Sequence, residues 1–177
     1  MKVILVMAMT LDGKIGKSPD HFPDWTGSAD KRLFAEVSRR AGVVIMGSTT
    51  YATLKKPLPG RKIVVMTRRR NRVSKDSSVV FSNRTPGPLL KALEREGYRE
   101  AVLAGGATIN SLFAREGRID EILVTVSPLI FGAGISLFSG EVDLKVELVD
   151  HERIDGGLLC LRYRVRADNP PKSYKNE

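Results

Sequence analysis

The 177-residue chain is predicted to form one α/β domain around a mixed, mostly parallel sheet. Three observations predict it. Short apolar runs alternate with helical patterns over most of the chain. One of these runs, Val102-Leu103-Ala104, enters Gly105-Gly106 and then a helix. Beyond Gly134 the pattern changes to two apolar runs joined through Asp155-Gly156-Gly157, which reads as an antiparallel pair.

Taken in order, the start Met1 to Met9 carries a single lysine and leads straight into a polar loop, so it reads as a core strand and not as a secretory signal. Thr10 to Asp24, with Gly13, Gly16, Pro19 and Pro23, is long enough to form a flap over a site. A helix follows from about Ser28 to Arg40. Ser28 is its expected N-cap, Ala29-Asp30-Lys31 its first turn, and Leu33, Phe34 and Val37 share one face. The strand Val43 to Met46 ends at Gly47, a short helical piece runs through Tyr51 to Leu54, and Lys55 to Gly60 is a turn. Ile63 to Met66 and Val79 to Phe81 are strands. A helix over Gly87 to Glu96, the strand Ala101 to Leu103 and a helix from Ala107 to Arg115 come next. Ile119 to Val126 is a further strand, Phe131-Gly132-Ala133-Gly134 a turn, and Val146 to Val149 pairs with Leu158 to Val165. The domain is expected to span residues 1–166, followed by a polar, frayed tail over 167–177 that holds Pro170 and Pro171.

Composition narrows the function classes. With 42% hydrophobic and 28% charged residues, and no apolar run near the roughly 20 residues of a membrane helix, the chain reads as a soluble, cytoplasmic protein. Cys160 is the only cysteine, so no internal disulfide can form, and it is expected to be buried as a small hydrophobe. His21 and His151 lack ligand spacing with Cys160, so no metal is expected. No Gly-x-Ser-x-Gly elbow and no Walker sequence is present. The net charge is +9, and the densest basic cluster is Thr67-Arg68-Arg69-Arg70-Asn71-Arg72, directly after the strand Ile63 to Met66. There it can reach anionic ligands across the strand ends, or it can be a solvated basic loop. Aromatics at 6% and the lack of any nucleic-acid-binding signature argue against nucleic acid, which is kept only as a remote reading of the charge.

The glycine turn carries the chemistry. Glycines at a strand-to-helix junction let a ligand approach the backbone, and the free amides of the helix start favour anionic oxygens. A nucleotide is the natural ligand, although a Gly-Gly turn is also a common loop solution.

Several segments together resemble the dihydrofolate reductase superfamily over nearly the whole chain. Trp25 with Asp30 and Phe34, Val44-Ile45-Met46-Gly47 followed by Thr49-Thr50-Tyr51, and Pro57-Leu58-Pro59-Gly60-Arg61-Lys62 resemble dihydrofolate reductase itself. Thr10-Leu11-Asp12-Gly13-Lys14-Ile15, Trp25-Thr26-Gly27, and Gly105-Gly106-Ala107-Thr108 leading to Val126-Ser127-Pro128-Leu129-Ile130-Phe131-Gly132 resemble the reductase domain of riboflavin-pathway deaminase-reductases.

The resemblance implies a dihydrofolate reductase-like sheet flanked by helices, with NADPH as hydride donor. It implies that Gly105, Gly106, Ala107 and Thr108, with Ala104 and Ile109 beside them, hold the pyrophosphate. Gly47, Thr49, Thr50, Thr67, Arg68 and Arg69 then lie toward the adenosine ribose and its 2′-phosphate. Ser48 stands where dihydrofolate reductases commonly carry a basic residue, so Arg68 would supply that charge. Asp30 corresponds to the carboxylate that orients the pterin and promotes its protonation. Met7, Ala8, Trp25, Phe34 and Thr125 would line the ring pocket, and Arg61 would bind a carboxylate on the substrate tail.

Each of these residues also has a purely structural reading. Asp30 suits the positive end of a helix, Arg61 a surface beside a turn, and Thr125 a strand interior. The expected activity is reduction of dihydrofolate to tetrahydrofolate, a step of one-carbon metabolism. The alternative is reduction of a ribosylaminopyrimidine phosphate of riboflavin synthesis, for which the usual Asp-Pro segment after the second strand is missing. Relatives of the riboflavin type are often homodimers and those of the folate type often monomers, so a homodimer is one expectation of two.

Overall fold

The computed structural model describes residues 1–19, 21, 24–54, 58–69 and 71–167. Ten strands and four α-helices are distributed as β1 (Lys2–Thr10), β2 (Lys14–Gly16), α1 (Gly27–Ala41), β3 (Val43–Gly47), α2 (Ser48–Ala52), β4 (Lys62–Met66), β5 (Val79–Ser82), α3 (Pro86–Arg95), β6 (Glu100–Leu103), α4 (Ala107–Arg115), β7 (Glu121–Ser127), β8 (Ile135–Ser136), β9 (Val146–Ile154) and β10 (Leu158–Val165). Eight strands form one sheet in the order β5-β4-β3-β6-β1-β7-β10-β9, and β2 pairs with β8 in a separate two-stranded sheet. The pairs from β5 to β7 are parallel, whereas β7–β10 and β10–β9 are antiparallel. This is the mixed, mostly parallel α/β architecture that the sequence predicts.

Helices cover both faces because the central strands are apolar on both. Val3, Leu5, Val43, Ile45 and Leu103 pack with Leu89, Leu90 and Leu93 of α3 and Phe113 of α4. Ile4, Val6, Val44, Met46, Ile63 and Val102 face the other way, against Val37 and Ala41 of α1. Every residue of β3 is buried, as a strand between two parallel neighbours and two helical layers should be.

Three details differ from the sequence reading. Ser28 lies inside α1 and not at its cap: the N-cap is Thr26, and Ser28 Oγ instead accepts from Arg32 Nη1 at 3.2 Å. The segment 10–24 contains a short strand, β2, whose partner β8 was also missed; each is too short to show a period. β9 continues to Ile154, well past Val149, as the outer strand of the sheet with nearly every side chain exposed. Of the tail, residues 168–177 lie outside the described residues, as do Pro23 of the flap, Lys55 to Pro57 of the turn and Arg70 of the basic cluster.

Candidate active site

The parallel arrangement brings the C-terminal ends of β4, β3, β6, β1 and β7 into one row. At a strand spacing of about 4.8 Å, the row from β4 to β7 extends about 19 Å, long enough for an extended dinucleotide lying across it.

On the β3–β6 side, two glycine-bearing junctions are locked together. The Gly47 amide donates to the Gly105 carbonyl at 2.8 Å, and Ala104 N–H donates to Ile45 O at 2.9 Å. The approach is close enough that a Cβ on Gly47 would stand 2.9 Å from Ile109 Cγ1. Gly105 has φ of +83°, and a Cβ there would stand 2.9 Å from Met7 Sδ. Packing alone therefore demands glycine at both positions. A Cβ on Gly106 would lie 3.2 Å from Thr50 Oγ1, which brings α2 against the same turn. The Gly105–Gly106 peptide is cis.

In α4 the Ile109 and Asn110 amides both return to Gly106 O, at 2.9 and 3.0 Å. By helix geometry the Ala107 and Thr108 amides have no intrahelical acceptor. One strand over, Thr67 follows Met66, which is the register partner of Gly47, and its hydroxyl accepts from the Arg69 amide at 3.2 Å. Arg68 and Arg69 are exposed and Thr49 lies on the exposed side of α2. Free amides at a helix start, glycine backbone and exposed cations at the next strand end form a donor set that fits a dinucleotide phosphate.

On the β1–β7 side, Ala8, Thr125 and Cys160 are register partners in a row across β1, β7 and β10 and so share one sheet face. α1 lies over that face, and Asp30 in its first turn points onto it. Burial pushes the Asp30 carboxyl above the usual carboxylate range, opposed by hydroxyl hydrogen bonds from Thr26 and Thr125 and by the charge of Lys31. Cys160 is buried, and burial raises its thiol, with the Asp30 charge among the lesser contributors. Trp25 is half-buried and its indole Nε1 is fully buried with no hydrogen-bond partner among the described residues.

Asp30, Phe34 and Ser38 stand at four-residue intervals along α1, a stripe about 12 Å long. Arg61 closes its far end. Only 5% exposed, it donates from Nη1 to Ser38 Oγ at 2.7 Å and from Nε to Pro59 O at 3.1 Å. Its guanidinium is thus neither a free surface charge nor paired with a carboxylate among the described residues. Desolvation lowers its pKa, with Arg39 adding to the effect.

The structure thus brings Gly47, Thr50, Ala104, Gly105, Gly106, Ala107, Thr108 and Ile109 to one junction, and Asp30, Phe34, Ala8 and Thr125 to the adjoining face. Met7 turns to the opposite face, against Gly105, because neighbours on a strand alternate. Two contributors escaped the sequence reading. Thr26 bonds Asp30 across four residues, a signal legible in the helical spacing. Asp12 accepts from the Phe131 and Gly132 amides, a contact spanning 119 and 120 residues that no local pattern announces. Among the described residues no group of acidic, histidine or cysteine side chains could hold a metal ion, and no helix is long and apolar enough to cross a membrane.

The RibD C-terminal domain matches residues 1–160, and the chain belongs to that family, whose fold is that of dihydrofolate reductase. It is 30% identical over 145 residues to the uncharacterised Bacillus subtilis protein YwjB, covering 77% of this chain and 82% of that one. It is also 30% identical over 112 residues to the Escherichia coli dihydrofolate reductase type A13, covering 63% and 64% of the two chains. Among solved structures, the diaminohydroxyphosphoribosylaminopyrimidine deaminase/5-amino-6-(5-phosphoribosylamino)uracil reductase of Thermotoga maritima superposes with a TM-score of 0.75 at 20% identity, covering 93% of this chain and 56% of that chain, a likeness of fold.

Proposed function

We propose that the protein is an NADPH-dependent reductase acting on a C=N bond of an anionic pyrimidine-type substrate, with a ribosylaminopyrimidine phosphate of riboflavin synthesis preferred over dihydrofolate. One observation carries the chemistry: Asp30, a carboxyl whose proton affinity is raised by burial, stands on the sheet face beside the glycine junction and is held by two hydroxyls. Dihydrofolate already carries a C=N bond, whereas in the ribosylamine the C1′–O4′ bond first breaks, the amino proton passing to O4′, to give a C1′=N imine. Reduction then requires hydride at carbon and a proton at nitrogen, and a carboxyl of raised pKa is suited to supply that proton and recover it from water.

NADPH, when bound, supplies the hydride. Gly105, Gly106 and the Ala107 and Thr108 amides would hold its pyrophosphate, with Ala104 and Ile109 forming the wall, Gly47, Thr49 and Thr50 the opposite side, and Thr67, Arg68 and Arg69 the 2′-phosphate end. Ala8, Thr125 and Phe34 line the heterocycle pocket, Trp25 offers it a buried N–H, and Met7 supports the glycine turn from behind. With little covalent work left to the protein, positioning and electrostatics supply most of the acceleration.

Family membership favours the riboflavin-type substrate over the folate that the sequence resemblance put first. The folate reading is kept because of one feature, the buried Arg61 at the end of the Asp30–Phe34–Ser38 stripe, where a tail carboxylate could be received. The outer strand β9, with Leu148 and Val149 about half exposed, supports a homodimer through that edge. The test is NADPH oxidation by purified protein offered each substrate separately. Turnover of the ribosylaminopyrimidine phosphate supports the proposal. Turnover of dihydrofolate alone replaces it with the folate reading, and no turnover of either refutes both.

A further inference from the structure

The loop after β7 is tied to the segment after β1 at several points. The Asp12 carboxylate accepts from Phe131 N at 3.2 Å and Gly132 N at 2.8 Å, and it also accepts the Thr10 hydroxyl. Leu11 N–H donates to Leu129 O at 2.8 Å, and Lys14 Nζ donates to Ser136 Oγ at 3.2 Å where β2 meets β8. These bonds fix the backbone of Phe131, and its ring is the centre of a small cluster. Trp25 meets it edge-on at 5.3 Å, His21 meets it at 5.7 Å, and Lys17 Nζ stands 5.0 Å from its centroid. Both Lys17 and His21 belong to the segment between β2 and α1, and the Lys17 amide donates to His21 Nδ1 at 3.1 Å.

Among the described residues, Phe131 is thus the ring that both His21 and Trp25 meet on the approach to α1. Trp25 directly precedes Thr26, whose hydroxyl bonds Asp30, and the Trp25 Nε1 hydrogen is buried with no partner among the described residues. A buried donor left unsatisfied costs about 1–3 kcal/mol, so such a group points to an acceptor that a ligand or ordered water supplies.

We propose that Phe131 is a positioning residue for substrate: held by Asp12, it fixes the Trp25 indole so that Nε1 presents its hydrogen to an acceptor on the bound heterocycle. The inference rests on the reductase reading of the same site. Phe131 meets Trp25 edge-on and acts on the substrate site through it.

The test uses Phe131→Ala and Phe131→Leu, with Phe131→Tyr as the conservative variant and Asp12→Asn to release the backbone. Trp25 is the only tryptophan in the chain, so its emission reports this contact alone. In Phe131→Ala, Trp25 emission should move to the red and become accessible to acrylamide. Substrate KM should rise several-fold to about tenfold, the equivalent of one aromatic pair, with NADPH affinity unchanged. Phe131→Tyr should restore both, and Asp12→Asn should show the same pattern in weaker form. If Phe131→Ala fails to fold, Phe131→Leu, which retains volume, gives the same readouts. Unchanged emission and quenching would overturn the contact. Altered emission with unchanged substrate KM would overturn the positioning role. Because the fluorescence arm needs no substrate, a failure of the reductase reading would appear separately, as normal emission changes without NADPH oxidation in the wild-type protein.

Discussion

Replacing Asp30 by Asn keeps the shape of the side chain and removes its ionisable proton. If Asp30 protonates the acceptor nitrogen, the variant should lose about 10²–10⁴-fold in turnover, the usual contribution of a positioned acid. KM should change little, because the amide still bonds Thr26 and Thr125. The pH dependence follows from the direction of the shift. Burial raises the folded-state pKa of Asp30 above the ordinary 3.8, so the carboxyl is protonated below that raised value and ionised above it. Turnover should therefore fall as pH rises through it, and the Asn variant should lose this limb of the profile. Stability runs the other way. A carboxyl whose pKa is raised on folding is free of cost below the unfolded value and lowers stability progressively as pH climbs toward the folded value. Above the raised folded-state pKa the native protein carries this cost in full, and there Asp30→Asn should have the higher Tm. Steady-state NADPH oxidation across pH and thermal unfolding of both proteins provide the data. Wild-type turnover in Asp30→Asn would remove Asp30 from the chemistry, and a lower Tm would show that the carboxyl is held by favourable bonds stronger than its desolvation.

Three further outcomes are expected. Gly47→Ala puts a methyl group 2.9 Å from Ile109 Cγ1, so it should cost about 1–3 kcal/mol in urea unfolding and weaken NADPH binding measured by nucleotide fluorescence; unchanged NADPH affinity would separate this junction from the cofactor. Arg61→Leu leaves Ser38 Oγ and Pro59 O without their donor, at about 1–3 kcal/mol, and should raise KM for an anionic substrate; a stability loss without a KM change would make Arg61 purely structural. Leu148→Lys on β9 should convert a dimer to a monomer in light scattering, and a wild-type monomer would refute the edge-pairing reading.

How much of this was legible in the sequence depends on the range of the interaction. Continuous apolar runs such as Val43 to Met46 announced themselves, since their burial by helices on both faces is written into neighbouring residues. The helix beginning at Ala107 was also local, opened by its two glycines. Motif resemblance brought Asp30, Thr125 and the glycine turn together although the first two stand 95 positions apart in the chain. What stayed hidden depended on single long-range contacts. Arg61 reads as a surface charge beside a turn until Ser38 is seen to take its proton bond. Asp12 looks like one more polar loop residue until the loop at Phe131 folds back on it. Thr26 is a different case: it holds the cap position without a cap bond, and its side chain bonds Asp30 four residues on, a local contact that the helical spacing could have shown.

The central claim is hydride transfer to a C=N carbon beside Asp30, and isotope transfer tests it most directly. The protein would be incubated with NADPH deuterated at the transferred position and with ribosylaminopyrimidine phosphate, and the product examined by mass spectrometry. Deuterium is expected on carbon in the product, with the label lost from the cofactor and the yield collapsing in Asp30→Asn. NADPH left unoxidised, or a product that carries no deuterium, would contradict it.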